Sequence, residues 1–157
     1  MEDPSESYLH DALTHALFEL RVHDADVLRL DVHEVTVTSR LAHHLAVLIE
    51  RAGEPLRVDC EYNRDRDDVK SLDDENIRPD VLVHCRDTPR NFLIVECKKP
   101  PRTAKARLAV RADVERLIAM LGGRYRYQCA AYVEVSIDAC RVWWGRDELL
   151  GLLAALP

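Results

Sequence analysis

Two carboxylates and one ammonium group occur at a spacing that favours hydrolytic chemistry. Asp80 opens one apolar run, and Glu96 and Lys98 stand two residues apart at the end of the next. Carboxylate oxygens are hard ligands that suit Mg²⁺ or Mn²⁺. A divalent cation makes water more acidic, and a nearby ammonium can orient or deprotonate that water, or stabilise charge on a phosphate. Hydrolysis of a phosphodiester needs these parts and little else.

These groups meet only if residues 77–85 and 92–98 pair as a β-hairpin. The connection between them reads Arg-Asp-Thr-Pro-Arg-Asn, which is typical of a turn. A hairpin folded about residues 88–89 pairs residues whose numbers sum to about 177. Asp80 then lies opposite Glu96 or the residue after it.

The alternation of side chains along a strand decides which groups share a face. Glu96 and Lys98 project to one side, and Cys97 projects to the other, into the core, where we expect no nucleophilic role. Like charges opposite each other destabilise a sheet, so a cation between Asp80 and Glu96 would remove a cost. The plainer interpretation is that Asp80 merely opens a strand and that Glu96 and Lys98 form a solvated pair.

The elements that would hold the hairpin can be predicted from the periodicity of apolar residues. Helices are predicted over residues 7–21, 34–52, 103–121 and 146–156, further strands over 57–62, 127–137 and 140–144, and irregular segments over 22–33 and 63–76. From residue 34 the order is helix, three strands, helix, strand. The first three strands should be antiparallel, and the third and fourth, joined through a helix, should be parallel. The result is an α/β domain with a central mixed sheet flanked by helices, plus an extra N-terminal helix and a C-terminal strand and helix.

Length and composition bound the class of protein. The 157 residues fit one domain, taken as residues 1–157. Five cysteines, an odd number without a Cys-x-x-Cys pair, argue against a zinc site and for reduced thiols. The first residues are acidic rather than those of a signal peptide, and no apolar run approaches the roughly 20 residues that span a bilayer. We therefore expect a cytoplasmic protein with no membrane segment.

The charge is unevenly distributed along the chain. The net charge is −6, yet residues 98–126 hold nine Lys and Arg against two Asp and Glu. Such a segment can contact phosphates, although a solvated helix face would carry the same charges. The candidate nucleic-acid-binding residues lie in this segment or beside the first predicted strand: Lys99, Arg102, Lys105, Asn63 and Arg64.

A Pro-Asp pair ending at Asp80, followed by a Glu-Cys-Lys run ending at Lys98, resembles the motif of the PD-(D/E)XK superfamily. This superfamily is also called restriction-endonuclease-like. Its αβββαβ core matches the order of elements predicted for residues 34–137. The resemblance implies a metal-dependent nuclease, expected to be an endonuclease that acts on DNA.

The resemblance also implies roles for particular residues. Asp80 and Glu96 would ligate Mg²⁺, for which Mn²⁺ substitutes, with help from the main-chain carbonyl of Cys97, and Lys98 would act on the attacking water. Many members add a carboxylate from the first core helix, and Glu34 is the candidate here. An acid favoured by the helix dipole is the plainer interpretation of Glu34.

Two other kinds of function stay open from the sequence. A catalytically silent nuclease fold could bind nucleic acid or a partner protein, although such proteins usually lose a motif residue and this chain keeps all three. The apolar terminal helices, 7–21 and 146–156, could form a homodimer or bind another protein. The sequence leaves open whether the nucleic acid is single-stranded, duplex or branched.

Overall fold

The computed structural model describes residues 3–30, 32–65, 68–72 and 75–156. The helices in these residues are α1 (Glu6–His23), α2 (Ala25–Arg29), α3 (Glu34–Ile49), α4 (Ala104–Met120) and α5 (Gly145–Ala155). The strands of the main sheet are β1 (Leu56–Cys60), β6 (Val81–Cys85), β7 (Asn91–Lys98), β8 (Cys129–Val135) and β9 (Cys140–Trp144). Between β1 and β6 lie two short ladders, β2 (Arg64–Asp65) with β3 (Asp68–Val69) and β4 (Ser71–Leu72) with β5 (Glu75–Asn76).

The main sheet is mixed, and its five strands lie in the order β1-β6-β7-β8-β9. Neighbours are antiparallel except for β7 and β8, which are parallel and are joined through α4. The predicted α/β class, the mixed sheet and the directions of the first four strands are therefore confirmed. The added N-terminal helix and the C-terminal strand and helix are also present.

The sheet separates two apolar cores. Leu93, Val95 and Cys97 of β7 project toward α1 and α3, whose buried stripes complete that core. Ile94 projects to the opposite face, where it packs with residues of α4 and α5. This alternation is the period-2 pattern of a strand buried on both sides. Cys97 faces the α1 and α3 core and is 1% exposed, as predicted.

Helix ends explain where the predicted boundaries were shifted. α3 stops at Ile49 rather than at residue 52, because Glu50 is extended and its carboxylate accepts the N–H of Val58 at 2.8 Å. The side chains of Ser5 and Thr103 accept backbone N–H groups and so cap α1 and α4. A capped first turn satisfies donors that have no partner within the helix.

Two segments predicted to be irregular contain short regular elements. Residues 22–33 include α2, a helix of five residues with no buried side chain, which leaves no apolar stripe to detect. The charged segment 63–76 contains the β2–β3 and β4–β5 ladders, and Arg66, Asp67, Asp73 and Asp74 of that segment lie outside the described residues. The strand predicted from residue 77 begins only at Val81.

Other expectations can be compared with the described residues. All five cysteines are free thiols. Among the described helices, none is long and apolar enough to cross a membrane. The sequence predicts that helix α1 offers an apolar surface for a partner. Most of its apolar stripe packs against α3 instead, and its exposed large apolar residues are Phe18 and Val22.

Candidate functional site

The candidate site lies where β6 begins and β7 ends. Val81 pairs with Val95 in the antiparallel ladder, and one further step of that register sets Asp80 opposite Glu96. Oδ2 of Asp80 accepts the backbone N–H of Cys97 at 2.8 Å. This bond anchors the Asp80 carboxylate at the end of the hairpin, as the predicted register requires.

The ammonium of Lys98 is shared by three carboxylates. Its Nζ lies 2.8 Å from Oε1 of Glu34, 3.3 Å from Oδ2 of Asp80 and 3.6 Å from Oε2 of Glu96. The Lys98 side chain is 23% exposed, so these contacts are only partly screened by water. The four residues predicted to be catalytic, Glu34, Asp80, Glu96 and Lys98, therefore lie in one cluster.

The protonation of Lys98 follows from these neighbours. Burial disfavours its charge, but the hydrogen bond to Glu34 and the charges of Asp80 and Glu96 outweigh burial and raise the Lys98 pKa above its usual value. Lys98 is therefore an ammonium at neutral pH. In this state it can donate hydrogen bonds and balance negative charge, but it cannot accept a proton from water.

Glu34 reaches the cluster from a different layer of the fold. It is the first residue of α3, and its N-cap residue, His33, makes no side-chain cap hydrogen bond. An acid in the first turn is favoured by the helix dipole, and here its carboxylate also binds Lys98. The geometry is therefore compatible with both interpretations of Glu34, as an acid favoured by the helix dipole and as a carboxylate of the candidate site.

Glu96 is the most buried carboxylate of the cluster, at 3% exposed. Burial and then the negative charge of Asp80 raise its pKa to about 8, although Lys98 and Arg116 act in the opposite direction. The Glu96 carboxyl group is therefore harder to ionise than an ordinary glutamate in the metal-free protein. The two cationic side chains offset only part of the effect of burial on the Glu96 carboxyl group.

Arg116 and Asp113 of α4 belong to the site but were missed from the sequence. Nη2 of Arg116 lies 3.4 Å from Oε1 of Glu96, and the same guanidinium forms an ion pair with Asp113. Burial raises the pKa of Asp113. Their spacing of three residues, beside the apolar positions Val114 and Leu117, is the signal that could have found them.

Tyr132 adds a polar atom to the same face of the sheet. It pairs with Glu96 in the parallel ladder between β7 and β8 and is 0% exposed. Its hydroxyl has no hydrogen-bond partner among the described residues, and burial raises its pKa. A buried hydroxyl without a partner costs free energy, and a role in binding or catalysis is one reason for a protein to keep such a group.

The predicted nucleic-acid-binding residues are dispersed around the cluster. Nζ of Lys99 donates to the carbonyl of Val32 at 2.6 Å, and Lys99 lines two cavities beside the cluster. Arg102 lines one of these, a cavity of about 380 Å³. Lys105 is exposed on the first turn of α4, and neither Asn63 nor Arg64 lines a cavity beside the cluster.

The donor set can be compared with the needs of a divalent cation. In the described part of the chain, no three His, Cys, Asp or Glu side chains are grouped so as to hold a metal ion. Mg²⁺, however, typically takes only one or two carboxylates and completes its shell with water and phosphate. Asp80 and Glu96 are hard donors that already converge on a single cation, the Lys98 ammonium, so their chemistry fits such an ion.

Comparison with known proteins finds no match to this chain among family models, curated proteins or solved structures. What the protein does must therefore be inferred from the contacts of Lys98 and its three carboxylates.

Proposed function

We propose that this protein is a metal-dependent nuclease of the PD-(D/E)XK type, an endonuclease that hydrolyses phosphodiester bonds of DNA. The observation that carries the proposal is the convergence of Glu34, Asp80 and Glu96 on the ammonium of Lys98. A structural ion pair needs one acid for one base, whereas here three acids share one lysine. Perturbed ionisable groups gathered in this way concentrate at active sites.

The order of elements supports the same proposal. α3, β1, β6, β7, α4 and β8 follow one another as helix, three strands, helix and strand, interrupted only by the two short ladders. That order is the one expected for a restriction-endonuclease-like core. Asp80 directly precedes β6, and Glu96 lies two residues before the end of β7, so both acids of the motif lie at one edge of the central strands.

The residues have separable roles in the proposed reaction. Asp80, Glu96 and the main-chain carbonyl of Cys97 would hold Mg²⁺, or Mn²⁺ in its place. The bound ion would supply acidification of water and charge stabilisation at phosphate. Lys98 would donate a hydrogen bond to the attacking water or to a phosphate oxygen as negative charge develops there. Glu34 would hold the Lys98 ammonium in position.

A catalytically silent module that binds nucleic acid or a partner protein is the alternative. One observation favours this alternative. The ammonium of Lys98 already balances the negative charge of the carboxylates, so the cluster does not need a metal ion for its stability. In that case the cluster would stabilise the junction of α3 with β7 and would bind no metal.

Cleavage of circular plasmid and of single-stranded DNA, with Mg²⁺, with Mn²⁺ and with EDTA, tests the proposal. We expect metal-dependent cutting by the native protein, and a loss of at least about 100-fold for Lys98→Ala. Arg146→Ala is the matched control, since it removes an exposed cation that lines none of the cavities beside the cluster.

The same experiment identifies the alternative. If the native protein cuts nothing with either metal, and calorimetry detects no Mn²⁺ binding that Asp80→Asn abolishes, the chain is a binding module. If cutting occurs, the form of the plasmid product indicates whether the protein acts as a monomer or as a homodimer. One active site per chain nicks a plasmid, whereas a homodimer with two sites converts it to the linear form.

A further inference from the structure

A polar groove adjoins the candidate active site between α4 and the described residues Leu72 and 76–78. Its volume is about 570 Å³. Arg78 and Asn76 line one side of it, and Glu115 and Arg116 line it from α4. A cavity of this volume is of the size that holds a small organic ligand rather than a single ion.

Arg116 connects this groove to the candidate site. Its side chain lines the groove, and its Nη2 lies 3.4 Å from Oε1 of Glu96. Glu96 in turn lies 3.6 Å from the ammonium of Lys98. A ligand in the groove would therefore contact the same guanidinium that balances Glu96.

The lining combines the chemistry needed for a phosphate with that needed for a base. The guanidinium groups of Arg78 and Arg116 suit phosphate oxygens. The amide of Asn76 can donate or accept hydrogen bonds at base edges, and the carboxylate of Glu115 can accept them. Ile77 and Ala112 add apolar surface against which the face of a base can lie.

Lys70 and Ser71, which precede the groove-lining residues, form hydrogen bonds with the chain that follows α4. Nζ of Lys70, which is 2% exposed, donates to the hydroxyl of Tyr127 at 2.8 Å. The hydroxyl of Tyr125 accepts the N–H of Ser71 at 2.8 Å and donates to the carbonyl of Ser71 at 2.9 Å. These bonds hold Lys70 and Ser71 against the chain that follows α4.

We propose that the groove binds one unpaired nucleotide next to the phosphate that reacts, so that the substrate of this protein is single-stranded DNA. The cutting of that strand rests on the proposed nuclease function, whereas binding in the groove does not. In a duplex the same nucleotide would first have to leave the base stack and its partner. That step costs free energy, and the cost is least for a base that is already unpaired.

Fluorescence anisotropy in EDTA measures binding without cutting. The probe is an end-labelled single strand of about ten nucleotides, used alone or annealed to its complement. Arg78→Ala removes a cation of the groove, and Ala112→Trp fills the groove from an exposed position on α4. Arg146→Ala and Ala154→Trp are matched controls, exposed on α5 and outside the groove.

We expect each groove variant to bind the single strand about tenfold more weakly than the native protein, with both controls unchanged. We also expect the native protein to bind the duplex about tenfold more weakly than the single strand. The inference is overturned if both groove variants bind the single strand as the native protein does, or if the duplex binds as tightly.

These outcomes are independent of cleavage. If the groove variants bind like the native protein, the proposed nucleotide site in the groove is wrong. The proposed nuclease function would still hold if the native protein cuts DNA. Conversely, single-strand binding that both groove variants weaken would support the groove, even if the native protein never cuts DNA with any metal.

Discussion

The ammonium of Lys98 lies 2.8 Å from Oε1 of Glu34, a residue 64 positions earlier in the chain. The contact joins the first turn of α3 to the last residue of β7, and so links the helical layer on one side of the sheet to the end of its central strand. Lys98 is then held in place from two directions, by Glu34 and by the hairpin that carries Asp80.

Removal of the shared cation should destabilise the protein and strengthen its response to metal. Lys98→Met leaves three carboxylates without their lysine, and we expect the free energy of unfolding to fall by about 2 kcal/mol. The loss should be smaller than for a fully buried ion pair, because the Lys98 side chain is 23% exposed. Mg²⁺ should raise the melting temperature of the variant more than that of the native protein. Thermal unfolding in EDTA and in Mg²⁺ measures both effects.

Lys105→Met is the control for this variant, because Lys105 is exposed on α4. It should leave the melting temperature and its response to Mg²⁺ unchanged. Equal Mg²⁺ responses in the native protein and in Lys98→Met would contradict the proposal that Asp80 and Glu96 bind the ion.

Neutralising Glu96 should stabilise the metal-free protein at high pH. The pKa of Glu96 is about 8 in the folded protein, against a usual value of 4.5. Between these values the folded protein keeps a proton that the unfolded chain has lost, so the free energy of unfolding falls as the pH rises. Glutamine mimics the protonated form, and we expect Glu96→Gln to match the native protein near pH 5 and to be more stable by up to about 4 kcal/mol near pH 9.

Urea unfolding in EDTA across this range of pH measures that difference. Part of the gain is offset, because Glu96→Gln also removes a negative neighbour of Lys98. Glu115→Gln, an exposed acid on α4, is the control and should follow the native curve. A constant difference between native and Glu96→Gln at every pH would show that the folded pKa of Glu96 is not raised.

The hairpin and its acids could be predicted because their signals are local. Period-2 alternation assigned Glu96 and Lys98 to one face, and the turn residues between the strands set the register that brings Asp80 opposite Glu96. The position of Glu34 at the start of α3 followed from the order of elements and the resemblance. Each of these inferences needed only one strand or one helix to be recognised.

Arg116 and the groove could not be predicted because they depend on packing between distant elements. The rotation of α4 against the sheet decides whether Arg116 meets Glu96 or faces water, and amphipathicity defines that rotation only coarsely. Residues 63–76 have no apolar periodicity, and in the described part of that segment Lys70 donates to Tyr127, a residue 57 positions later. Contacts at such separation leave no pattern in the local sequence.

The cysteine thiols should differ sharply in reactivity. Cys85, Cys97 and Cys129 are buried, and burial raises the pKa of Cys129 to about 12 and that of Cys97 further. Burial also raises the pKa of Cys60 and of Cys140, but both thiols are partly exposed, and a reagent can reach them. Because the thiolate is the reactive form, iodoacetamide near pH 8 should modify only Cys60 and Cys140 in the native protein, as read by mass spectrometry of peptides.

Unfolding in guanidinium provides the control for this labelling, since all five cysteines should then react. Modification of Cys97 in the native protein at the rate of the exposed pair would contradict its position in the core.

The hydroxyl of Tyr127 should contribute to stability, whereas that of Tyr132 should not. Tyr127→Phe removes the hydroxyl that accepts from the buried ammonium of Lys70, and we expect a loss of about 2 kcal/mol in the free energy of unfolding. Tyr132→Phe removes a hydroxyl that is equally buried but has no partner in the described structure, so stability should be unchanged or slightly higher. Urea unfolding compares the two, and limited proteolysis should cut near residues 63–72 faster in Tyr127→Phe alone. Equal losses from the two substitutions would mean that the contact with Tyr127 does not hold Lys70 against the chain that follows α4.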